Sequence, residues 1–117
     1  MSINLSIIIP VYNSEKYLFD CLYSVCKQIK KNTEIIVVDD CSSDNSVKIS
    51  KKLKNKFKFL KIIRLKKNRG VSYCRNLGIK YAKGDYVHFL DSDDMLVNGS
   101  IKIILNKIKK LHDNDVF

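Results

Sequence analysis

An α/β fold is predicted for this chain: a doubly wound, mostly parallel sheet with helices on both faces. Two patterns and the chain length predict it. Four short, predominantly apolar runs, the first three rich in β-branched residues, alternate with segments whose apolar residues recur at helical spacing. Runs that are apolar at successive positions rather than in strict alternation suit strands covered on both faces, as parallel strands are. The 117 residues, 45% of them hydrophobic, make one small domain over 1–117, with no internal repeat and no linker.

The elements follow in order. Leu5-Ser6-Ile7-Ile8-Ile9 reads as the first strand, ended by Pro10. Ser14 is a candidate N-cap for a helix carried by Tyr17, Leu18, Cys21, Leu22, Val25, Cys26 and Ile29. Glu34-Ile35-Ile36-Val37-Val38 is the second strand. Ser42-Ser43-Asp44 opens a helix to about Asn55, with Val47, Ile49 and Leu53 turned inward. Phe59 to Leu65 forms the third strand, and Lys66 to Gly70 a basic turn. A helix over 71–82 follows, stopped by Gly84 as its C-cap. Tyr86-Val87-His88-Phe89-Leu90 is the fourth strand, and a last helix runs from about Gly99 to Leu111. The order βαβαβαβα calls for right-handed crossovers.

The net charge is +10, from 22 Lys plus Arg against 12 Asp plus Glu. That balance admits nucleic acid, an anionic membrane or a phosphorylated ligand, and it also follows from a Lys-, Ile- and Asn-rich AT-biased composition. No apolar run approaches the ~20 residues of a membrane span. No basic segment precedes the first apolar run, so the chain is expected to start at Met1 and to be cytoplasmic. Cys21, Cys26, Cys41 and Cys74 form no Cys-x-x-Cys pair and lie away from His88 and His112. This spacing argues against a zinc site and for inert, reduced thiols.

Open α/β sheets bind ligands beyond the carboxyl ends of their strands. The residues there are Pro10-Val11-Tyr12-Asn13, Asp39-Asp40, Asn68-Arg69-Gly70 and Asp91-Ser92-Asp93-Asp94. A chain that is basic overall thus gathers its acids at one sheet edge. Clustered carboxylates repel one another unless a cation or a hydrogen-bonding ligand sits among them. Asp91 and Asp93 can face one hard divalent ion, Mg²⁺ or Mn²⁺, shared with substrate phosphates. Alternatively they cap the helix that follows. Asp39 and Asp40 read either as a helix-opening turn, with Ser42 or Ser43 as N-cap, or as acceptors for a base imide N–H or a ribose hydroxyl. Arg69 and Arg75 flank a helix N-terminus able to hold an anion, though Arg75 reads equally as part of a solvated face. Tyr12 either stacks on a base or covers the core edge. Neither Gly-x-Gly-x-x-Gly nor a phosphate-binding Gly-Lys-Ser/Thr occurs, which disfavours dinucleotide oxidoreductases and P-loop phosphotransferases.

Five segments in order resemble glycosyltransferase family 2: Ile7 to Glu15, Glu34 to Asp40, Asn68-Arg69-Gly70, Arg75-Asn76-Leu77-Gly78 and Phe89 to Asp94. The resemblance runs from Leu5 to about Leu96. It implies the GT-A fold, whose donor half is a Rossmann-like nucleotide-binding unit, and a nucleotide-sugar donor, a UDP-sugar. By this resemblance Pro10, Val11, Tyr12, Asn13 and Glu15 line the nucleotide pocket. Asp40, or Asp39 and Asp40 together, binds the base, and the segment around Gly70 and Arg75 lies near the nucleotide or the sugar. Asp91, with Ser92 beside it, sits at the ribose and the metal, and Asp93 holds the metal through the diphosphate. Cys41 stands where the family carries Gly, a departure that bears on that turn.

The resemblance further implies sugar transfer to an acceptor hydroxyl with inversion, in bacterial surface-polysaccharide or lipid-linked glycan synthesis. Mn²⁺ or Mg²⁺ would act as Lewis acid and a carboxylate as general base. Nothing in the chain marks that base, which is expected beyond Phe117 in an acceptor-binding half. The chain is therefore expected to be a truncated donor-binding portion, inactive alone. Asp113 and Asp115 are expected in a turn before a fifth strand cut at Val116-Phe117, leaving an apolar edge open to homo-oligomer formation. A rival reading is a non-catalytic nucleotide-sugar-binding module. Nucleic acid is disfavoured as a partner, because acids occupy the ligand edge and no RNA-binding aromatic motif is present. The last helix, with Lys102, Lys107, Lys109 and Lys110 beside an apolar stripe, suits a solvated basic face or peripheral contact with the inner face of the membrane.

Overall fold

The computed structural model describes residues 2–114. Strands and helices alternate as β1 (Leu5–Val11), α1 (Leu18–Cys26), β2 (Thr33–Asp39), α2 (Ser46–Lys56), β3 (Leu60–Arg64), α3 (Val71–Tyr81), β4 (Tyr86–Phe89) and α4 (Ser100–Asn114). The strands lie in the order β3-β2-β1-β4, and every pairing is parallel. The chain thus steps outward from β1 to β3, then returns across β2 and β1 to β4. With right-handed crossovers, that reversal puts α3 on the face opposite α1 and α2. The core divides accordingly. Ile7, Ile9, Val11, Ile35 and Val37 pack with residues of α1, α2 and α4, whereas Ile8, Ile36 and Val38 pack with Cys74 and Leu77 of α3. Alternate side chains of each apolar run serve opposite faces, which is why the runs are continuous. The doubly wound architecture expected from the sequence is the one observed.

Local features differ from expectation, each for a physical reason. β1 continues through Pro10 to Val11. Val11 O accepts from Asp40 N on the β2 side, and Ile8 O accepts from Leu90 N on the β4 side. Alternation therefore turns the Pro10 nitrogen toward β4, whose pairing ends with Phe89 opposite Ile8, so the missing N–H breaks no ladder bond. Ser14 caps no helix: α1 starts at Leu18 with no side-chain cap, and the Ser14 hydroxyl lies 2.6 Å from that of Ser92. α2 starts at Ser46 rather than in the Ser42–Asp44 turn, and Asp44 Oδ1 accepts from Ser46 N at 2.9 Å. Gly84 is not a C-cap, since α3 ends at Ala82 in an extended conformation. It marks instead a close passage over β1, where a Cβ would meet Ser6 Oγ at 2.6 Å and Ser6 N at 2.7 Å. Asp113 falls within α4 rather than in a turn. Asp115 and the expected strand at Val116-Phe117 lie outside the described residues. No described helix is long and apolar enough to cross a membrane.

Candidate functional site

Where the winding direction reverses, the loops leaving β1 and β4 diverge and open a crevice at the carboxyl edge. A cleft of about 360 Å³ lies there, a volume typical of small-ligand sites. Its walls are Pro10 to Ser14, Tyr17, Asp40, Val71, Cys74 and Asp91 to Asp93.

Polar bonds between loops hold these walls. Asn13 adopts a positive φ of 47°, a conformation its short amide side chain tolerates. From there Asn13 N donates to Ser42 Oγ at 2.9 Å, and Asn13 Oδ1 accepts from Ser43 N at 2.8 Å. Ser14 N donates to Ser46 Oγ at 2.9 Å. Glu15 Oε2 accepts from Asn45 N at 3.2 Å, and Glu15 N donates to Asp44 Oδ2. The Ser14–Ser92 hydroxyl pair joins the first loop to the last.

Asp39 and Asp40 do different things. Asp39 is buried at the end of β2, where its Oδ2 accepts from Ser42 N at 3.0 Å and shapes the turn. Asp40 faces the cleft and accepts from Arg69 N at 2.7 Å and Gly70 N at 2.9 Å, one bond to each oxygen. Gly70 takes φ 94°, the left-handed region open to glycine, and so presents its N–H to Asp40 at the start of α3. Cys41 also has a positive φ, 64°, so the turn keeps a glycine-like backbone although a side chain is present. Burial and the neighbouring Asp40 carboxylate push the Cys74 thiol up to about 11. Burial, followed by the charges of Asp94, Asp93 and Asp91, pushes Cys21 up to about 12. Both cysteines therefore stay neutral thiols at physiological pH.

Asp91, Asp93 and Asp94 are exposed, and one carboxylate oxygen from each lies within 4.8 Å of the others. They do not cap α4, which begins only at Ser100 and receives Gln28 Oε1 on Ile101 N instead. Arg75 answers part of the charge, its Nη2 lying 3.4 Å from Asp91 Oδ1 and its guanidinium 5.7 Å from the Phe89 ring centre. An all-oxygen, strongly anionic donor set of this kind fits a hard divalent cation.

The fold therefore brings Pro10, Val11, Tyr12, Asn13, Asp40, Asp91, Ser92 and Asp93 to one cleft. Glu15, Asp39, Gly70 and Arg75, also expected at the pocket, do not line this cleft; they bond to its loops or, for Arg75, to Asp91. Sequence reasoning missed Ser14, Tyr17, Val71 and Cys74 as lining residues, and Asp94 as the third carboxylate. Tyr17 falls on the apolar period of α1, and Val71 and Cys74 on that of α3. Only the strand order shows that these positions border a cleft.

An open parallel sheet with an acid-lined cleft at its switch point defines an α/β ligand-binding domain. The family model for glycosyl transferase family 2 matches residues 6–117, and the chain belongs to that family. An uncharacterized glycosyltransferase of Haemophilus influenzae is 40% identical over 108 residues, covering 92% of this chain and 43% of the relative. The minor teichoic acid biosynthesis protein GgaB of Bacillus subtilis is 38% identical over 113 residues, 95% of this chain and 12% of its own length. The crystal structure of Staphylococcus aureus TarS 1-349 in complex with UDP-GlcNAc superposes with a TM-score of 0.88 at 40% identity, covering 94% of this chain and 32% of TarS 1-349. TarS is a poly(ribitol-phosphate) beta-N-acetylglucosaminyltransferase. The architecture is that of the GT-A fold, and the chain spans less than half the length of these relatives.

Proposed function

We propose that this chain is the donor-binding portion of an inverting glycosyltransferase that takes a UDP-sugar with Mn²⁺ or Mg²⁺. The observation that carries this reading is the convergence of the Pro10–Asn13 loop, Asp40 and the Asp91–Asp93 turn on one switch-point cleft. Support for uridine comes from TarS, whose structure is a complex with UDP-GlcNAc. Support for a surface-glycan acceptor, lipid-linked or polymeric, comes from relatives named for teichoic acid synthesis. That acceptor chemistry fits work in the cytoplasm at the inner face of the membrane.

On this reading each residue has a distinct role. Tyr12, half exposed at the rim, offers a ring face to the base. The Asp40 carboxylate, which accepts a backbone N–H on each oxygen and meets the Cys74 thiol, has a remaining lone pair for the base imide N–H. Asp91 and Asp93, joined by Asp94, would hold the divalent ion, which would supply Lewis acidity against the charge growing on the departing diphosphate. Arg75 balances Asp91 until the ion and diphosphate arrive.

Calorimetric titration of the chain with uridine diphosphate, with and without Mn²⁺, tests this reading. Metal-dependent binding that disappears in Asp93→Ala is expected. Metal-independent binding, or full binding by the variant, would overturn it.

A further inference from the structure

The helix layer over the larger core carries a second surface. α1 occupies the middle of that layer, packed directly against α2 on one side. On the other side Gln28, just past α1, holds the approach to α4: its amide donates to Val97 O at 3.1 Å and its carbonyl accepts from Ile101 N at 3.1 Å. The outward face of α1 is aromatic. Phe19 (52% exposed) and Tyr23 (41% exposed) stack one helical turn apart, with ring centres 5.8 Å apart and planes within 8°. The flanking helices expose lysines, five in α2 and four in α4, and α4 also exposes Ile103 and Leu111 beside them. Lys16 and Lys27 carry the same charge to both ends of α1, their ammoniums 5.5 and 6.0 Å from the ring centres of Tyr17 and Tyr23. Across the three helices the acids are Asp20 and Asp113 alone.

An aromatic ridge between two cationic banks complements a boundary that is anionic at its surface and apolar beneath. We propose that this face docks on an anionic lipid bilayer. Phe19 and Tyr23 enter the headgroup boundary, and the lysines of α2 and α4 lie against lipid phosphates. Lysine suits this work, because its long apolar stem lies along the surface while the ammonium stays hydrated. Single-stranded nucleic acid would answer the charge equally, but it binds aromatic residues by stacking on open ring faces. Here the Tyr23 ring is already stacked by Phe19 and approached by the Lys27 ammonium. Tyr17, one residue before α1, lines the cleft, so a bilayer on this face lies close to the cleft mouth.

Vesicle flotation without nucleotide tests the surface apart from the donor chemistry. Vesicles of phosphatidylcholine alone are compared with vesicles containing phosphatidylglycerol, at low and physiological salt. Binding to the anionic vesicles only, weakened by salt, is expected. The paired change Phe19→Ala with Tyr23→Ala should reduce it about tenfold, because both rings leave the lipid boundary. These side chains are exposed, so the melting temperature and uridine diphosphate binding of the double variant should match those of the parent. The charge reversal Lys109→Glu with Lys110→Glu should weaken anionic-vesicle binding and abolish its salt dependence in part. The proposal is overturned by no binding to anionic vesicles, by unchanged binding of the aromatic double variant, or by tighter binding to oligouridylate than to vesicles. Sedimentation in which the aromatic variant dissolves a dimer would also overturn it and assign the face to a second copy of the chain.

Discussion

At the amino end of the sheet Glu34 is buried, bonded through Oε2 and ion-paired through Oε1, whereas at the carboxyl end Asp91, Asp93 and Asp94 stand exposed and crowd one another. Glu34 Oε2 accepts from Ser6 Oγ at 2.6 Å and from Lys83 N at 2.7 Å, and Lys61 Nζ lies 2.9 Å from Oε1. Gly84 N donates to the same Ser6 hydroxyl. Burial alone would raise the Glu34 pKa, but the bonds from Ser6, Lys83 and Lys61 outweigh it and hold the carboxyl below its usual range. This knot ties β1, β2 and β3 to the turn after α3. At the other end three carboxylates share one long ion pair with Arg75. The side-chain chemistry is the same at both ends, and the donors within reach differ. Where the fold supplies donors an acid stabilises the sheet, and where it withholds them the acid is left to attract a ligand.

The sharpest test separates stability from binding. Asp93→Ala should lower metal-dependent uridine diphosphate affinity on the order of 100-fold by calorimetry. Its unfolding free energy should move by no more than about 0.5 kcal/mol, because an exposed, repelling charge is removed. Glu34→Ala should do the reverse, costing about 2–3 kcal/mol in urea unfolding, with nucleotide affinity unchanged. Because the folded pKa of Glu34 lies below its unfolded value, its contribution is complete above the unfolded carboxylate range. It is lost as pH falls through the folded value, so the acid limb of the stability profile should flatten in Glu34→Ala. A stability loss at Asp93 matching that at Glu34 would break the contrast.

Asp40 sharpens it, since it lies at the carboxyl end yet is bonded as Glu34 is. Asp40→Asn puts an NH₂ group against a backbone N–H, and it should cost about 1–2 kcal/mol and weaken nucleotide binding as well. The smallest effect is expected at Cys41. Cys41→Gly relieves a left-handed residue and should raise stability by up to roughly 1 kcal/mol, less the backbone entropy glycine adds to the unfolded chain. A lower melting temperature would show that the 3.5 Å contact from Cys41 Sγ to Lys66 O matters more than the strain.

The site was legible wherever a residue's position along a strand decided its place. Pro10 to Asn13, Asp40 and Asp91 to Asp93 follow strand ends, and all parallel strands end at the same edge. It was illegible wherever a residue's partner lay far along the chain. Ser14 carries the local signature of a helix cap, but it finds Ser92, 78 residues away, whereas Asp44 meets Ser46 N at the start of α2 with one oxygen and Glu15 N, 29 residues away, with the other. Gly84 has the spacing of a C-cap, yet its lack of a side chain serves Ser6 on a strand formed much earlier.

The sequence by itself determined the α/β class, the alternation of elements and the family, because apolar period and strand-end residues are local properties of the chain. Only the tertiary structure decided that β4 returns to lie beside β1, that Tyr17, Val71 and Cys74 become cleft walls, and that Glu34 is answered while Asp93 is not. Those outcomes depend on which donors and apolar surfaces meet across the sheet, and distance in space is not written in distance along the chain.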